Sequence, residues 1–302
     1  DLLYWDEFVR LSPDAEAVRM MADVASFEQL LALDYGGIRV GKYAASTALR
    51  HLRVGRLDLT NQAVRDALLP FLQRSLSYAK AAQNIVKTVR PQLVLSVDLG
   101  YSPRGELFDV CLAAGLETIT WNAAHKNNQL MLKRYSRANR DVHPASLSVR
   151  TWHDLQAQPW THAERERLRR ELVGSYLSGE WYGEVGTQFH TTLQEAAEIR
   201  RALDLDDRKK TAVIFSHIFW DGTFFYGTDL FGSYEEWFVE TMKVACANPH
   251  LNWIVKIHPA NIVKNDTGNC ATSGWSKPDF VDAPYQILEA GVAPNKVKAA
   301  FI

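Results

Sequence analysis

A lysine and a histidine stand two residues apart at the end of an apolar segment, LNWIVKIHPAN (251–261). Side chains alternate between the faces of a strand, so Lys256 and His258 are expected on one face. In open α/β sheets, ligands bind at the carboxyl ends of strands. A lysine and a titratable imidazole there are suited to a departing phosphate, although a lone histidine can also be structural. A second His-Pro pair, His143-Pro144, follows no predicted strand and is interpreted as mainly structural.

The segment SVDLGYSPRGE contains two candidate general bases. Asp98 closes an apolar segment, and Glu106 lies early in a predicted helix with Ser102 as N-cap and Pro103 at its first position. A carboxylate that faces a cleft at the end of a strand can deprotonate a substrate hydroxyl. Arg104 adds a cation near the helix N-terminus. Either acid can instead be a solvated residue of the turn or the first helical turns, and the sequence leaves both interpretations open.

Polar and aromatic residues are concentrated in FSHIFWDGTFFYG, directly after another apolar segment. His217, Trp220 and Asp221 are expected in the loop that follows a strand, where binding residues are often found. The aromatic side chains can stack on a base or a sugar, or they can pack the seam between two domains. We take these three residues as candidate substrate-binding residues and keep the packing interpretation open.

Two ligand-binding patterns are incomplete. GGIRVGK has the glycine and lysine spacing of a phosphate loop, but Tyr43 stands where the motif needs Ser or Thr to hold magnesium. Lys42 remains a candidate substrate-binding residue because it opens a predicted helix, whose N-terminus attracts anions. The DLD sequence at 204–206 is assigned to a linker. No His, Cys, Asp or Glu cluster has metal-ligand spacing, so we predict no metal.

The composition is that of an ordinary folded protein. The chain has 302 residues, of which 47% are hydrophobic and 23% charged, and a formal net charge of -1, so bulk charge does not favour nucleic acid as a partner. Three scattered cysteines form no zinc-like pair and no disulfide framework, which favours a reducing compartment. No apolar run approaches the length of a membrane span. We therefore expect a cytoplasmic protein and leave peripheral association with the inner membrane open.

The hydrophobic pattern predicts an α/β protein in two halves, 1–205 and 206–302, and the C-terminal half is expected to be an incomplete domain. The first half begins with helices, including a long one that Pro70 is expected to kink or split. A buried parallel strand within 91–100, a helix and a strand over 116–122 then form a βαβ unit. The C-terminal half repeats the strand-helix-strand pattern and ends in a strand. The first residue is Asp rather than Met, and the chain stops within the predicted strand KVKAAFI, so both ends are interpreted as the ends of a fragment.

The C-terminal half resembles bacterial capsule and surface polysaccharide biosynthesis proteins of the GT-B glycosyltransferase type, through SHIFWDGTFFYG, YEEWFVETM and NWIVKIHPAN. Its HP element is similar to the His-Pro motif of bacterial sialyltransferases, polysialyltransferases and Kdo transferases, and to the KxHP of the CDP-glycerol phosphotransferases. The histidine of those families contacts the donor phosphate and assists its departure. That role would fall on His258, with Pro259 shaping the loop. GKYAASTALR, GYSPRGE and LKRY…HPASLS of the first half look like the acceptor-side domain.

The resemblance implies two Rossmann-like domains that face a cleft, an acceptor-side domain over 1–205 and a nucleotide-sugar-binding domain over 206–302. It implies transfer of a sugar from a nucleotide-activated donor, CMP-linked donors included, to a polysaccharide or glycolipid of the capsule or lipopolysaccharide, without a metal or other cofactor. The D/E-D/E-G element that carries the base of the sialyltransferases does not occur. The implied site residues are His258, Glu106 and Asp98 for catalysis, Lys256, Pro259 and Asn261 for the donor phosphate, and His217, Trp220, Asp221, Arg104 and Lys42 for substrate.

Two alternative functions remain at this point. A CDP-linked polyol-phosphate transferase of the teichoic-acid type shares the KxHP element and would form a phosphodiester. A non-catalytic glycan-binding subunit of a capsule assembly complex would bind glycan and transfer nothing.

Overall fold

The computed structural model describes residues 4–10, 14–124, 129–178, 195–226, 229–256 and 298–300. Over these residues the chain is an α/β protein with two three-stranded sheets. The helices are α1 Ala15–Ala22, α2 Phe27–Leu31, α3 Val40–Leu52, α4 Gln62–Val89, α5 Arg104–Ala113, α6 Val149–Gln156, α7 His162–Ser178, α8 Ala196–Ala202 and α9 Tyr234–Ala247. The strands are β1 Leu93–Ser96, β2 Glu117–Ala123, β3 Leu130–Tyr135, β4 Lys210–Phe215, β5 Leu251–Lys256 and β6 Lys298–Ala300. Within this part of the chain, none of the helices is both long and apolar enough to cross a bilayer.

The long helix α4 organises the first half. It begins after Asn61, whose side chain accepts a hydrogen bond from the Ala63 amide, and it ends where Arg90 adopts a left-handed conformation. A proline in a helix interior removes one backbone hydrogen bond. The helix nevertheless continues through Pro70, because the neighbouring turns are held by the core, where Leu68 and Leu72 are fully buried. Of the two expectations for Pro70, the split is therefore wrong, and the kink stays a prediction.

The first sheet has the order β1-β2-β3. β1 and β2 are parallel and joined by α5, which confirms the predicted βαβ unit. β3 pairs antiparallel with β2 and was not predicted. The face toward α5 is buried, with Thr118 and Thr120 closed off from solvent. On the other face Leu93 and Leu95 remain 52% and 60% exposed, so the prediction that β1 is buried is wrong for that face.

The other sheet is parallel throughout, with the order β4-β5-β6. β5 lies in the centre, and its residues Ile254 and Val255, which point to opposite faces, are both buried. The intervening helix α9 begins after Ser233, whose hydroxyl accepts a hydrogen bond from the Glu236 amide. Its residue Met242 packs in one cluster with Val255. These elements confirm the predicted strand-helix-strand pattern and the final strand.

The segment after β4 packs into the core of the first half. Trp220 and Phe225 are buried there, and the Phe225 ring stacks on Tyr43 of α3 with centroids 5.7 Å apart. Lys42, also in α3, donates a hydrogen bond from Nζ to the Phe224 carbonyl oxygen at 2.8 Å. The two halves therefore share one hydrophobic core at this seam, while the division near residue 205 itself stays a prediction.

The contact between α5 and α3 generates the first prediction. A Cβ atom on Gly105 would lie 2.1 Å from Cε1 of the buried Tyr43, so Gly105→Ala should lower the free energy of unfolding by about 1–3 kcal/mol. Gly174 lies inside α7, and apart from its own helix no described residue has a heavy atom within 4 Å of such a Cβ, so Gly174→Ala should raise stability by about 0.5–1 kcal/mol. Urea denaturation of both variants checks this. Equal stability of Gly105→Ala and the parent would contradict the close contact.

Candidate functional site

A cleft of about 420 Å³ opens at the carboxyl ends of β1 and β2, and we call it the β1–β2 cleft. Its volume is within the range of small-molecule sites. The side chains that give it its chemistry are those of Asp98, Thr120, Asn122, Met131, His143 and Tyr226. Tyr226 comes from the segment after β4, so both halves of the chain contribute to one wall. This is the edge where open α/β sheets bind ligands.

Asp98 lies in this cleft, where the sequence placed a candidate base. Its φ of 57° is in the left-handed region, which aspartate tolerates better than most residues, and the chain turns there after β1. Arg50 and the predicted Arg104 approach its Oδ2 with guanidinium nitrogens at 3.6 and 3.5 Å. All three side chains are between one third and about one half exposed. The structure therefore brings Asp98 and Arg104 together, with Arg50 as a partner that the sequence did not indicate.

Glu106, the other candidate base, does not face the cleft. It is fully buried, and its Oε1 accepts hydrogen bonds from the Ser75 hydroxyl at 2.6 Å and the Ser102 hydroxyl at 2.5 Å. Burial raises the pKa of Glu106 to about 7, although both hydroxyls lower it. Ser102 is consequently not the N-cap of α5; Pro103 holds that position without a side-chain cap. The expectations of a cleft-facing base and of a solvated acid are both wrong, because the carboxyl group is enclosed by α4 and α5.

Lys42 and Trp220 are placed at the seam between the halves. Burial, and then the nearby Arg39, lower the pKa of the Lys42 ammonium, which is held by the Phe224 carbonyl. The N-terminus of α3 is also less available to an anion, because the Gly41 amide donates its hydrogen bond to the Leu33 carbonyl oxygen. Trp220 is 1% exposed, so its ring cannot stack on a ligand at the surface. The prediction of Trp220 as a substrate contact is therefore wrong. Lys42 is only partly buried, and its role as a substrate contact stays a prediction. Both residues make contacts at the seam.

Asp221 and His217 occupy different surroundings. The Asp221 carboxylate accepts a hydrogen bond from the Tyr101 hydroxyl at 3.0 Å, across the seam. The His217 ring stacks on Tyr234, with centroids 4.0 Å apart and planes at 10°, and its Nδ1 lies 2.8 Å from the Ile218 carbonyl oxygen. Asp221 thus joins the two halves, while His217 lies just beyond the carboxyl end of β4.

The donor side is described only in part. Lys256 ends β5 opposite Phe215, at the same edge of the parallel sheet as His217, and its carbonyl oxygen accepts a hydrogen bond from the Ser216 amide at 3.0 Å. His258, Pro259 and Asn261 lie outside the described residues. The predicted pairing of Lys256 and His258 on one face of the strand stays a prediction.

His143 belongs to the cleft, although the sequence indicated a structural residue. Its Nδ1 accepts a hydrogen bond from the Ala145 amide at 3.1 Å, so in the neutral imidazole the proton is on Nε2. The Lys133 ammonium holds this loop by donating to the His143 carbonyl oxygen at 2.8 Å, and the Tyr135 hydroxyl donates to the Val142 carbonyl oxygen at 2.7 Å. Both anchors belong to β3. The feature of the sequence that could have indicated the position of His143 is β3, because this strand lies ahead of the His-Pro loop.

A buried ion pair fixes the same loop to the core. The Asp109 carboxylate of α5 is fully enclosed and lies 3.1 Å from Nη2 of Arg39 and 2.5 Å from Nη2 of Arg140. It also accepts a hydrogen bond from the Arg39 amide at 3.0 Å. Two guanidinium groups and a backbone amide thus compensate for the loss of water around the carboxylate. Arg140 lies three residues before His143, so the network holds one wall of the cleft.

No family model, curated protein or solved structure matches the chain. The candidate site is therefore interpreted from its own geometry.

The Asp109 network generates another prediction for stability. Asp109→Ala leaves two half-buried guanidinium groups without their shared partner, and we expect the free energy of unfolding to fall by about 3–5 kcal/mol. Asp207→Ala removes a carboxylate that is 85% exposed and pairs with Arg200, so it should change stability by less than about 1 kcal/mol. Urea denaturation checks both variants. A similar loss of stability in Asp109→Ala and Asp207→Ala would show that burial does not strengthen the Asp109 ion pairs.

Glu106 generates a prediction for pH. Its pKa in the folded protein, about 7, lies above the ordinary value of 4.5, so folding favours the protonated form. The stabilisation is present below pH 4.5 and is lost as the pH rises through 7. Relative to Glu106→Gln, which does not titrate, the parent should lose up to roughly 3 kcal/mol of stability between these limits. Denaturation curves over this range measure the difference, and parallel pH profiles would contradict the burial of an ionisable group.

Proposed function

We propose that the chain is a glycosyltransferase of GT-B architecture, which transfers a sugar from a nucleotide-activated donor to a bacterial surface glycan, capsule or lipopolysaccharide. The observation that carries the proposal is the β1–β2 cleft, which lies at the carboxyl ends of parallel strands and takes Tyr226 from the segment after β4. Ligand sites occur preferentially where two parts of a protein meet, and a cleft of this kind can bring two substrates together. The resemblance of the HP element to that of known transferases supports the same reaction.

The acceptor side of the proposed reaction uses Asp98. Two guanidinium groups approach its Oδ2, while Oδ1 has no hydrogen bond within the described part of the chain. Oδ1 would accept the proton of the acceptor hydroxyl as the hydroxyl oxygen attacks the anomeric carbon of the donor. General base catalysis of this kind contributes about 10²–10⁴-fold to the rate. Glu106 has no part in this step.

The donor side uses Lys256 and His258. The bond between the anomeric carbon and the phosphate oxygen breaks, and its electron pair stays with the departing nucleotide. Lys256, at the carboxyl end of β5, would neutralise that phosphate, and protonated His258 would donate a proton to it. These two cations would take the part that a metal ion has in other transferases. Ligand binding at the strand ends of both sheets follows the general rule for α/β proteins.

The proposal predicts a specific nucleotide and a dependence on His258. One of CMP, CDP, UDP, GDP or dTDP should raise the melting temperature of the protein, and the matching activated sugar should be transferred. His258→Ala should reduce transfer by about 10²-fold or more. The exposed His250 gives the control, since His250→Ala should transfer at the parent rate.

The other outcomes separate the alternatives. If none of these nucleotides stabilises the protein, or if His258→Ala transfers normally, the proposed mechanism fails. A phosphodiester product would instead identify a polyol-phosphate transferase. Binding of glycan without any transfer would identify a non-catalytic subunit.

A further inference from the structure

A buried hydroxyl in the wall of the β1–β2 cleft has no hydrogen-bond partner among the described residues. Thr120 is 1% exposed, and its Oγ1 forms no hydrogen bond within the described residues. A buried polar atom without a partner costs about 1–3 kcal/mol, so a valine at this position would give a more stable strand. A ligand hydroxyl in the cleft would supply the missing partner.

The other polar groups of the cleft complement a molecule whose hydroxyls both donate and accept. His143 presents Nε2–H as a donor, because its Nδ1 is occupied by the Ala145 amide. The Asp98 carboxylate is an acceptor, and Asn122 adds an amide with both functions. The hydrogen-bond donors and acceptors of the protein thus come from different residues of the cleft wall.

An aromatic ring forms the apolar part of the wall. The Tyr226 ring meets the His143 ring edge-on, with centroids 4.8 Å apart and planes at 75°, so the two rings position each other. Met131 lies beside them in the cleft. An apolar wall with a few convergent polar groups is typical of small-molecule sites, and a sugar ring offers both an apolar C–H face and hydroxyls.

The charges beside the cleft do not separate neutral from acidic sugars. The one carboxylate of the described lining is that of Asp98, and the neighbouring Arg50 and Arg104 approach its Oδ2. The described part of the cleft is therefore characterised by hydrogen-bonding groups rather than by charges of one sign.

We infer that the β1–β2 cleft is a subsite for one sugar ring, which is bound by Thr120, His143 and Asp98 against the Tyr226 ring. That this ring belongs to the acceptor rests on the proposed function. Binding of the sugar itself does not depend on it.

The experiment is ligand-observed saturation-transfer NMR on the full chain without nucleotide. The probes are the methyl glycosides of glucose, galactose, mannose and N-acetylglucosamine. At least one of these glycosides should bind. Thr120→Val should weaken the binding about tenfold, the loss of roughly one hydrogen bond, and should raise the melting temperature.

Ser46 of α3 supplies the matched control. Its hydroxyl is also buried without a partner in the described residues, but Ser46 does not line the cleft. Ser46→Ala should raise the melting temperature and leave sugar binding unchanged. A merely structural role of Thr120 would make the two variants behave alike.

The inference is overturned if none of these glycosides binds, or if Thr120→Val binds like the parent. These failures are distinct from failure of the proposed function. Transfer by a protein that binds none of these glycosides in the cleft would contradict the inference alone. Sugar binding that depends on Thr120, in a protein without transferase activity, would contradict the proposed function alone.

Discussion

The enclosed carboxylate of Asp109 is the interaction on which much of the remaining structure depends. A buried charge without partners costs several kcal/mol, so Asp109 requires both Arg39, which directly precedes α3, and Arg140, which follows β3. These residues are 70 and 31 positions away from Asp109 in the chain. The start of α3, the middle of α5 and the loop after β3 are therefore held together in the folded protein. The position of His143 is a consequence of that assembly.

The aromatic seam has a similar role between the two halves. Phe225 and Trp220 fill the first core, and their neighbour Tyr226 then reaches the β1–β2 cleft. Because the two buried rings fix the chain on one side of Tyr226, its ring is placed by packing that belongs to the first half. The Tyr101–Asp221 hydrogen bond adds a polar contact across the same seam. The cleft is thus built on a rigid support, as a site that orients a substrate requires.

The sequence predicts those features that depend on local pattern. The units β1–α5–β2 and β4–α9–β5 follow from apolar periods and caps, and Asp98 was expected at a ligand-binding edge because it ends a strand. The burial of Glu106 was not predictable, since it depends on Ser75, which is 31 residues earlier in the chain. β3 was missed because Leu130 and Leu132 are mostly exposed, so its pattern does not resemble that of a core strand. Because β3 was not predicted, the sequence did not indicate where the His143 loop lies.

The left-handed backbone at Asp98 has a consequence for how this chain can vary. A residue with a Cβ atom is disfavoured there by roughly 1–2 kcal/mol, and glycine would adopt the same turn without that cost. The paired arginines Arg50 and Arg104 favour a carboxylate at the same position. Replacement of Asp98 by glycine would relax the backbone, but it would also remove the carboxylate that offsets the charges of Arg50 and Arg104. The two requirements therefore oppose each other. Asparagine, which tolerates the turn but carries no charge, is the smallest change that would separate these two demands.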